Sequence, residues 1–459
     1  MTEMPRLAVA GLSGESGKTL VSLALLFEAG RKEIPVRAFK KGPDYIDAAW
    51  LGWASGRPAR NLDTYLMGFD RVARSFARNG IPSGLNLIEG NRGLYDGLDA
   101  RGTHSTAELA KLLRAPVVLV VNGTKVTRTA AAPVLGCQKL DPEVWIAGVI
   151  LNQVAGSRHE RVMREAIETA CQVPVLGVIP RAPEGILLST RHLGLVTPRE
   201  FAGRDALARN LLDHVASHLE FDRLLAIARR APPLESPALP APRSDTGGEV
   251  TIGYLNDSAF SFYYPENLEA LRAGGARLAP ISALAADTLP VELDALYIGG
   301  GFPETHAQEL SENSGLLGSI RRAARTGLPV YAECGGLMLL SRALTWRGFR
   351  YPMAGVFDFE VVVCDMPQGH GYTELLVDRP NPFFALGTHL KGHEFHYSKI
   401  VLDGPEPLTA CAVRRGSGCF DGRDAVVSGN VWAAYTHLHA LATPEWAQAF
   451  MGQASACHN

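Results

Sequence analysis

A run near the N-terminus, Gly11-Leu12-Ser13-Gly14-Glu15-Ser16-Gly17-Lys18-Thr19, has the residue types and spacing to hold a polyphosphate. Small residues let the backbone N–H groups around Gly14, Ser16 and Gly17 close on phosphate oxygens, and the N-terminus of a following helix adds partial positive charge. Lys18 would reach the outer phosphates, and Thr19 would offer a hydroxyl to Mg²⁺. The common pattern, G-x-x-x-x-G-K-S/T, is one residue shorter: five residues lie between Gly11 and Gly17, and Leu12 stands where a glycine is expected. A plain glycine turn would explain Gly-Lys-Thr alone. It does not explain the flanking apolar runs, Leu7–Ala10 and Leu20–Leu26, which make the segment read as strand, turn, helix.

A second chemistry is written in Pro329-Val330-Tyr331-Ala332-Glu333-Cys334-Gly335-Gly336-Leu337-Met338. A cysteine between an apolar strand and an apolar helix sits at an elbow that exposes a nucleophile, and the helix N-terminus would favour the thiolate. An isolated cysteine is usually a buried hydrophobe. Here the flanking glycines and a distant base, offered by Tyr435-Thr436-His437-Leu438-His439, reverse that preference. Ile298-Gly299-Gly300-Gly301-Phe302 ends another apolar run, so its backbone N–H groups could form an oxyanion hole, with Gly301 the best single choice. Gly392-His393-Glu394-Phe395-His396-Tyr397-Ser398 invites a metal-site reading, but it lacks the i, i+4 histidine pair of helical zinc proteases. It is expected to be structural, or to line a domain junction.

Two acidic stretches complete the set. Lys40-Lys41-Gly42-Pro43-Asp44-Tyr45-Ile46-Asp47 holds two carboxylates in a turn fixed by Gly-Pro, able to bind Mg²⁺ or to position a phosphoryl acceptor; solvated turn residues would look the same. Lys40 or Lys41 could face anionic oxygens. Glu89-Gly90-Asn91-Arg92-Gly93-Leu94-Tyr95-Asp96-Gly97 places Glu89 at a strand end, where phosphate-loop folds keep a metal partner.

These residues need strands to carry them. Ile34–Phe39, Leu85–Glu89, Pro116–Val121, Trp145–Leu151 and Val173–Ile179 are short continuous apolar runs of the kind found in buried parallel strands, and helical patterns such as Ser105–Leu113 and Ser157–Cys171 alternate with them. A doubly wound parallel sheet follows, with ligands beyond the carboxyl ends of its strands. One long helical segment, about Glu200–Arg229, is expected to close this half. The segment 231–248 has five prolines within Pro232–Pro242 and no periodicity, which marks a linker. A second α/β half then runs through Val250–Tyr254, Ala295–Ile298 and Pro329–Ala332.

Composition limits the alternatives. At 459 residues, 46% hydrophobic and 20% charged, the chain has the make-up of a soluble globular protein of two or three domains. A net charge of −2 supplies no basic field for nucleic acid or an anionic membrane. No charged leader and cleavage site precede the first strand, so a cytoplasmic location is expected. Seven scattered cysteines without a C-x-x-C pair argue against a disulfide framework and against zinc.

Taken in order, GxxxxxGKT, KKGPDYID, EGxxGLYDG, Arg191-His192-Leu193-Gly194-Leu195, GGGFPE, AECGGLM and GHEFHYS resemble the cobyrinate a,c-diamide synthase family over nearly the whole chain. That family joins a dethiobiotin-synthetase-like ATPase domain, which shares the longer loop, to a class I glutamine amidotransferase domain. The resemblance implies an α/β fold of two doubly wound domains: an N-terminal P-loop parallel sheet at 1–230, and a C-terminal amidotransferase-like sheet at 249–459 behind the linker. It implies that Lys18 and Thr19 bind ATP and Mg²⁺, and that Asp44, Asp47, Glu89 and Asp96 serve the metal and the phosphoryl-acceptor region. Tyr45 and Ile46 would lie near a tetrapyrrole polycarboxylate, Cys334 would be the nucleophile and His437 its base.

ATP would convert two peripheral carboxylates to acyl phosphates, and ammonia from glutamine would reach them by an enclosed route. A homodimer stays open. Two departures bear on the substrate: Asn91-Arg92 replaces Val-Met in the third loop, and Asn122 stands where the fourth strand usually ends in Asp. They leave sirohydrochlorin or sirohaem as an alternative to cobyrinate, with Arg92, Lys125 and Arg128 either pairing with a polycarboxylate or solvated. Position 439 is His rather than the Glu of most His-x-Glu triads. A Cys-His dyad oriented by some other group is therefore expected. From another class, the chain could be a phosphate-loop switch ATPase with a silent amidotransferase-like domain.

Overall fold

The computed structural model describes residues 3–182, 196–234 and 250–458. Arg191–Leu195 and most of the proline-rich segment lie outside them. The chain divides into two compact units, Met1–Pro240 and Ala241–Asn459.

The first unit carries a seven-stranded sheet built from β1 (Arg6–Gly11), β2 (Val36–Lys41), β3 (Arg60–Leu62), β4 (Leu85–Gly93), β5 (Val117–Asn122), β6 (Ile146–Val154) and β7 (Val175–Pro180). Their order is β3-β2-β4-β1-β5-β6-β7, and every pair is parallel. The strands are apolar on both faces because helices cover both, as crossover connections require. Among those helices are α1 (Lys18–Arg31), α2 (Tyr45–Ser55), α3 (Thr64–Met67), α4 (Phe69–Asn79), α5 (Thr106–Leu112), α6 (Ala131–Leu140) and α7 (Ser157–Cys171). Apolar runs mark the strand cores well and their carboxyl ends poorly. β2 extends to Lys41 and β6 to Val154, taking Lys40 and Asn152 into the sheet.

The expected single helix over Glu200–Arg229 is two helices, α8 (Arg204–His214) and α9 (Phe221–Arg229), parted by a 3₁₀ turn at Ala216–His218. The break has a cause in the sheet. Edge strand β7 takes the chain as a partner: Leu219 bridges Gly177 in antiparallel sense, and the Glu220 N–H donates to the Leu176 carbonyl at 2.8 Å. An exposed strand edge competes successfully with helix continuation there.

In the second unit a ten-stranded sheet includes β8 (Thr251–Leu255), β9 (Arg277–Ile281), β10 (Ala295–Ile298) and β11 (Val330–Glu333). A small sheet of order β13-β12-β14-β17 uses β12 (Ala343–Trp346), β13 (Phe349–Pro352), β14 (Glu360–Val363) and β17 (Ser398–Val401). The large sheet is completed by β15 (Gly369–Val377), β16 (His389–His396), β18 (Thr409–Arg415), β19 (Arg423–Ser428), β20 (Val431–Ala434) and β21 (His437–Leu438). Its order is β21-β16-β15-β18-β19-β20-β11-β10-β8-β9.

Only β20, β11, β10, β8 and β9 run parallel; the rest pair antiparallel. Helices α10 (Pro265–Ala273), α11 (Ala307–Glu312), α12 (Ser314–Arg325), α13 (Gly335–Leu340) and α14 (Pro444–His458) belong to this unit. One apolar core holds Ile298, Ala332, Cys334 and Leu337; another holds Tyr297, Tyr331, Trp446 and Phe450. Strand alternation divides β11 between them, sending Tyr331 to the second and Ala332 to the first.

Candidate active sites

In the first unit the phosphate-loop candidate leaves β1 and enters α1. Gly17 caps the helix at φ 99°, and a Cβ there would come 2.2 Å from Asn152 Nδ2, so only glycine fits. Asn152 donates to the Ser16 carbonyl at 2.9 Å, tying the loop to β6. Lys18 Nζ donates to the Ser13 carbonyl at 2.9 Å and reaches Ser16 Oγ at 3.4 Å, so the ammonium is folded over the loop. Burial, then the nearby Lys40 charge, lowers the Lys18 pKa. Around Gly14 the space a Cβ would take is open.

Strand register assembles the acidic cluster. Lys40 on β2 lies opposite Glu89 on β4, and Val9 on β1 pairs with the same glutamate. Lys40 Nζ contacts Asp47 Oδ2 at 2.5 Å, Glu89 Oε1 at 2.9 Å and the Gly90 carbonyl at 3.1 Å. Thr19 Oγ1 donates to Glu89 Oε1 at 2.8 Å. Burial opposes the charge on Lys40, but Asp47, Glu89 and Asp44 outweigh it and raise the lysine pKa. Burial raises Glu89 against the pull of Lys40, and burial together with the Asp47 charge pushes Asp44 up to about 7. Asp44 caps α2 by accepting the Asp47 N–H at 2.9 Å. Asp96 accepts the Gly93 N–H at 2.8 Å and fixes the loop after β4. Tyr45 and Ile46 open α2, with Ile46 buried and Tyr45 partly so.

Mg²⁺ commonly takes one or two protein ligands and completes its shell with phosphate oxygens and water. Thr19 and Glu89 could supply them: Lys40 and Thr19 both bond Glu89 Oε1, and Glu89 Oε2 accepts no hydrogen bond. Asp47 is engaged by Lys40 and Asp44 by the helix cap, and among the described residues no group of three or more His, Cys, Asp or Glu side chains is arranged to hold a metal ion. Arg92, Lys125 and Arg128 are exposed; the first two adopt positive φ, at 51° and 57°.

In the second unit Cys334 joins β11 to α13 at φ 47°, ψ −97°, a strained backbone that an unconstrained cysteine would avoid. Its N–H donates to the Ala434 carbonyl at 2.7 Å, securing the elbow to the end of β20. A Cβ on Gly335 would lie 3.1 Å from the Gly301 nitrogen, which sets the Gly299–Gly301 turn against the elbow. A Cβ on Gly301 would meet the Ala259 carbonyl oxygen at 2.0 Å; one on Gly300 would meet His437 Cε1 at 2.5 Å. Cys334, His437 and Gly301, drawn from distant parts of the sequence, are thus gathered around one glycine turn. Burial, followed by the Glu304 charge, raises the Cys334 pKa, with the Gly335 N–H opposing. The expected thiolate bias of the helix is outweighed, and the thiol needs a base.

His437 Nδ1 is 3.3 Å from Glu333 Oε2, and the His437 ring stacks on His393 with centroids 5.0 Å apart. His439 lies apart from this contact, its Nε2 3.7 Å from Glu266 Oε2. In the GHEFHYS stretch Glu394 accepts the Ser417 and Gly418 N–H groups at 2.5 and 3.0 Å, and His396 stacks on Tyr435 at 3.7 Å. His396 thereby packs on Tyr435, two residues before His437, and Glu394 holds the turn at Ser417 and Gly418. Sequence reasoning missed Asn152, Glu333 and the stacking role of His393. An acid inside the apolar run Pro329–Cys334 was the available signal for Glu333.

A nucleotide-type loop on one sheet and a thiol elbow with histidine on another define a ligase whose nitrogen comes from an amidotransferase domain. Residues 7–195 match the CobQ/CobB/MinD/ParA nucleotide binding domain, and residues 251–445 match the CobB/CobQ-like glutamine amidotransferase domain. The chain is 43% identical over 449 residues to a cobyrinate a,c-diamide synthase of Magnetococcus marinus, covering 97% of this chain and 96% of that one. Those of Archaeoglobus fulgidus and Dehalococcoides mccartyi are 38% and 40% identical, covering 98% and 97% of both chains respectively. This chain belongs to the cobyrinate a,c-diamide synthase family and is a carbon–nitrogen ligase with glutamine as amido donor. Among the described residues no helix is long and apolar enough to cross a membrane.

Proposed function

We propose that the chain uses ATP and glutamine to amidate two side-chain carboxylates of cobyrinate, a and c, through acyl phosphates. The ATP-binding domain spans 1–230, a linker 231–248 and the amidotransferase domain 249–459. What supports the reading is alignment with synthases of that name over 97% of the chain, together with the Thr19–Glu89 hydrogen bond at the phosphate loop and the packing of His437 against the Gly299–Gly301 turn.

In the first unit, loop N–H groups and Lys18 hold the β- and γ-phosphates of ATP while a substrate carboxylate oxygen attacks the γ-phosphorus and ADP leaves. Thr19 and Glu89 would hold Mg²⁺, which when bound offsets charge on the transferring group. Asp44, Asp47 and Asp96 shape the acceptor side, with Lys40 neutralising the cluster, and Tyr45 and Ile46 form the start of the helix that faces the substrate.

In the second unit His437 removes the Cys334 proton and the thiolate attacks the glutamine side-chain carbonyl. The Gly301 N–H stabilises the oxyanion. The tetrahedral adduct expels ammonia with the proton from His437, and water then releases glutamate from the thioester. Ammonia displaces phosphate from the acyl phosphate to leave the amide.

The test is incubation of the enzyme with ATP, Mg²⁺ and glutamine plus either cobyrinate or sirohydrochlorin, followed by mass spectrometry. Two successive exchanges of OH for NH₂ on cobyrinate are expected. Turnover of sirohydrochlorin alone would move the activity to that substrate, and ATP hydrolysis without either product would favour a switch.

A further inference from the structure

Glutamine hydrolysis by a cysteine–histidine pair requires the imidazole to present an unprotonated nitrogen to the thiol, which demands a partner on its other nitrogen. Position 439, which would supply that partner in a His-x-Glu arrangement, is a histidine turned elsewhere. Its Nδ1 accepts the Leu441 N–H at 3.1 Å, and its Nε2 lies beside Glu266.

We infer that Glu333, the residue immediately before the nucleophile, is the positioning residue for His437 and replaces the missing glutamate of the triad. The inference rests on the amidotransferase half of the proposed function.

The carboxylate is wholly buried and held by several donors. Glu333 Oε2 is 3.3 Å from His437 Nδ1 and accepts from the Tyr297 hydroxyl at 3.4 Å, and Oε1 accepts the Leu438 N–H at 3.1 Å. Tyr297 is itself held by Asn267 Nδ2 at 3.2 Å, and Asn267 also donates to the Leu438 carbonyl at 2.9 Å and accepts the Ala440 N–H at 2.7 Å. Both the acid and the segment bearing the histidine are thereby fixed to one scaffold.

Sheet register explains how an acid beside the nucleophile reaches the base. Glu333 pairs with Ala434, so the end of β11 adjoins the strand that leads to His437. Alternation along β11 then separates the two neighbours: Cys334 turns through the elbow into one core, while Glu333 contacts Tyr297 of the other. With a proton on Nδ1 donated to Glu333, the Nε2 lone pair faces the glycine turn, 3.3 Å from where a Gly300 Cβ would stand. The stacked His393 does not compete as a cation, because burial and His437 hold its pKa well below the ordinary value. One residue pair, Glu333-Cys334, thus supplies both the nucleophile and the support for its base.

The experiment compares wild type, E333Q, E333D and H439Q in glutamine hydrolysis, in synthesis from free ammonia and in thermal melting. E333Q keeps the shape and removes the charge, so its kcat with glutamine should fall about 10⁴-fold, by analogy with loss of the orienting carboxylate in other triads. KM for glutamine, ammonia-supported synthesis and the melting temperature should stay near wild type. E333D should recover part of the loss, to within roughly 30-fold of wild type, and H439Q should stay within about fivefold.

E333Q retaining wild-type kcat would overturn the inference, as would an equal loss with free ammonia. A silent E333Q beside an inactive H439Q would assign orientation to position 439 instead. Should E333Q not fold, an E333D enzyme with unreduced kcat overturns the inference equally. A wild-type protein that hydrolyses no glutamine, with C334S indistinguishable from it, refutes the amidotransferase reading rather than this one.

Discussion

Each unit carries a fully buried glutamate on a parallel strand: Glu333 ends β11, whereas Glu89, expected at a strand end, lies in the middle of β4, which runs on to Gly93. Both side chains accept hydrogen bonds and both stand beside the loop that carries the chemistry, yet their company differs. Glu89 faces the Lys40 ammonium at 2.9 Å and the Thr19 hydroxyl at 2.8 Å. Glu333 faces the Tyr297 hydroxyl, a backbone N–H and the His437 ring. A buried carboxylate paired with a permanent cation is neutralised before any ligand arrives, which suits a site that must receive further anionic groups. One that faces an imidazole instead is placed to orient that ring and, under the proposed mechanism, to stabilise an imidazolium. The same residue type on two parallel strands therefore has different electrostatic surroundings, decided by what the neighbouring elements present.

The comparison is broken most directly by separating the two reactions. C334S should lower glutamine-dependent synthesis by at least about 10⁴-fold and leave ammonia-dependent synthesis within a few-fold of wild type, since nucleophile loss in hydrolases costs that much or more. Equal loss of both activities would show that the thiol site supports the ligase site structurally. G300A should act on the same half more mildly. Its Cβ would come 2.5 Å from His437 Cε1, displacing the ring, and a fall in glutamine kcat of roughly 10²-fold is expected from misplacing a catalytic group by about an ångström.

Stability should sort the two glutamates in the other direction. K40M leaves the buried Glu89 and the part-exposed Asp47 without their cation, and breaking a buried pair costs about 3–5 kcal/mol. In a unit of this size that corresponds to roughly 10 °C in the first unit's melting transition. E333Q, which breaks no ion pair with a permanent cation, should shift melting by only a few degrees. Calorimetry that found the larger loss in E333Q would reverse the contrast.

How much of this was legible in the sequence depends on whether the signal is local. The phosphate loop and the cysteine elbow were, because glycine, lysine and cysteine act there through spacing within a single turn. Apolar runs located most of the parallel strands for the same reason, but not β3, β9 or β20. What was not legible arises from pairing across the sheet. Lys40 and Glu89 are 49 residues apart and meet only through the β2–β4 register. Glu333 and His437 are 104 residues apart and meet through β11 and β20. The break after α8 has the same origin, since nothing local to 215–220 announces that the edge of β7 will claim it. The antiparallel half of the second sheet escaped as well: β16, His389–His396, mixes three histidines, a lysine and a glutamate with few apolar residues.

The smallest expected effect concerns pH and sharpens the contrast between the two carboxylate surroundings. Asp44 is pushed up to about 7 by burial and by the Asp47 charge, so the fold prefers its protonated form. A carboxyl whose folded pKa is raised contributes stability that is full below its unfolded value near 4 and is lost as pH climbs through 7. D44N keeps a capping oxygen for the Asp47 N–H and carries no charge at any pH. Near pH 4 the two proteins should melt together. By pH 8 D44N should melt a few degrees higher, with an upper bound of about 4 kcal/mol from the size of the shift. Differential scanning calorimetry at pH 4.5, 6 and 8 checks this. A constant offset across the three would mean that Asp44 is charged in the folded protein throughout, and that Lys40 neutralises all three acids around it rather than Asp47 and Glu89 alone.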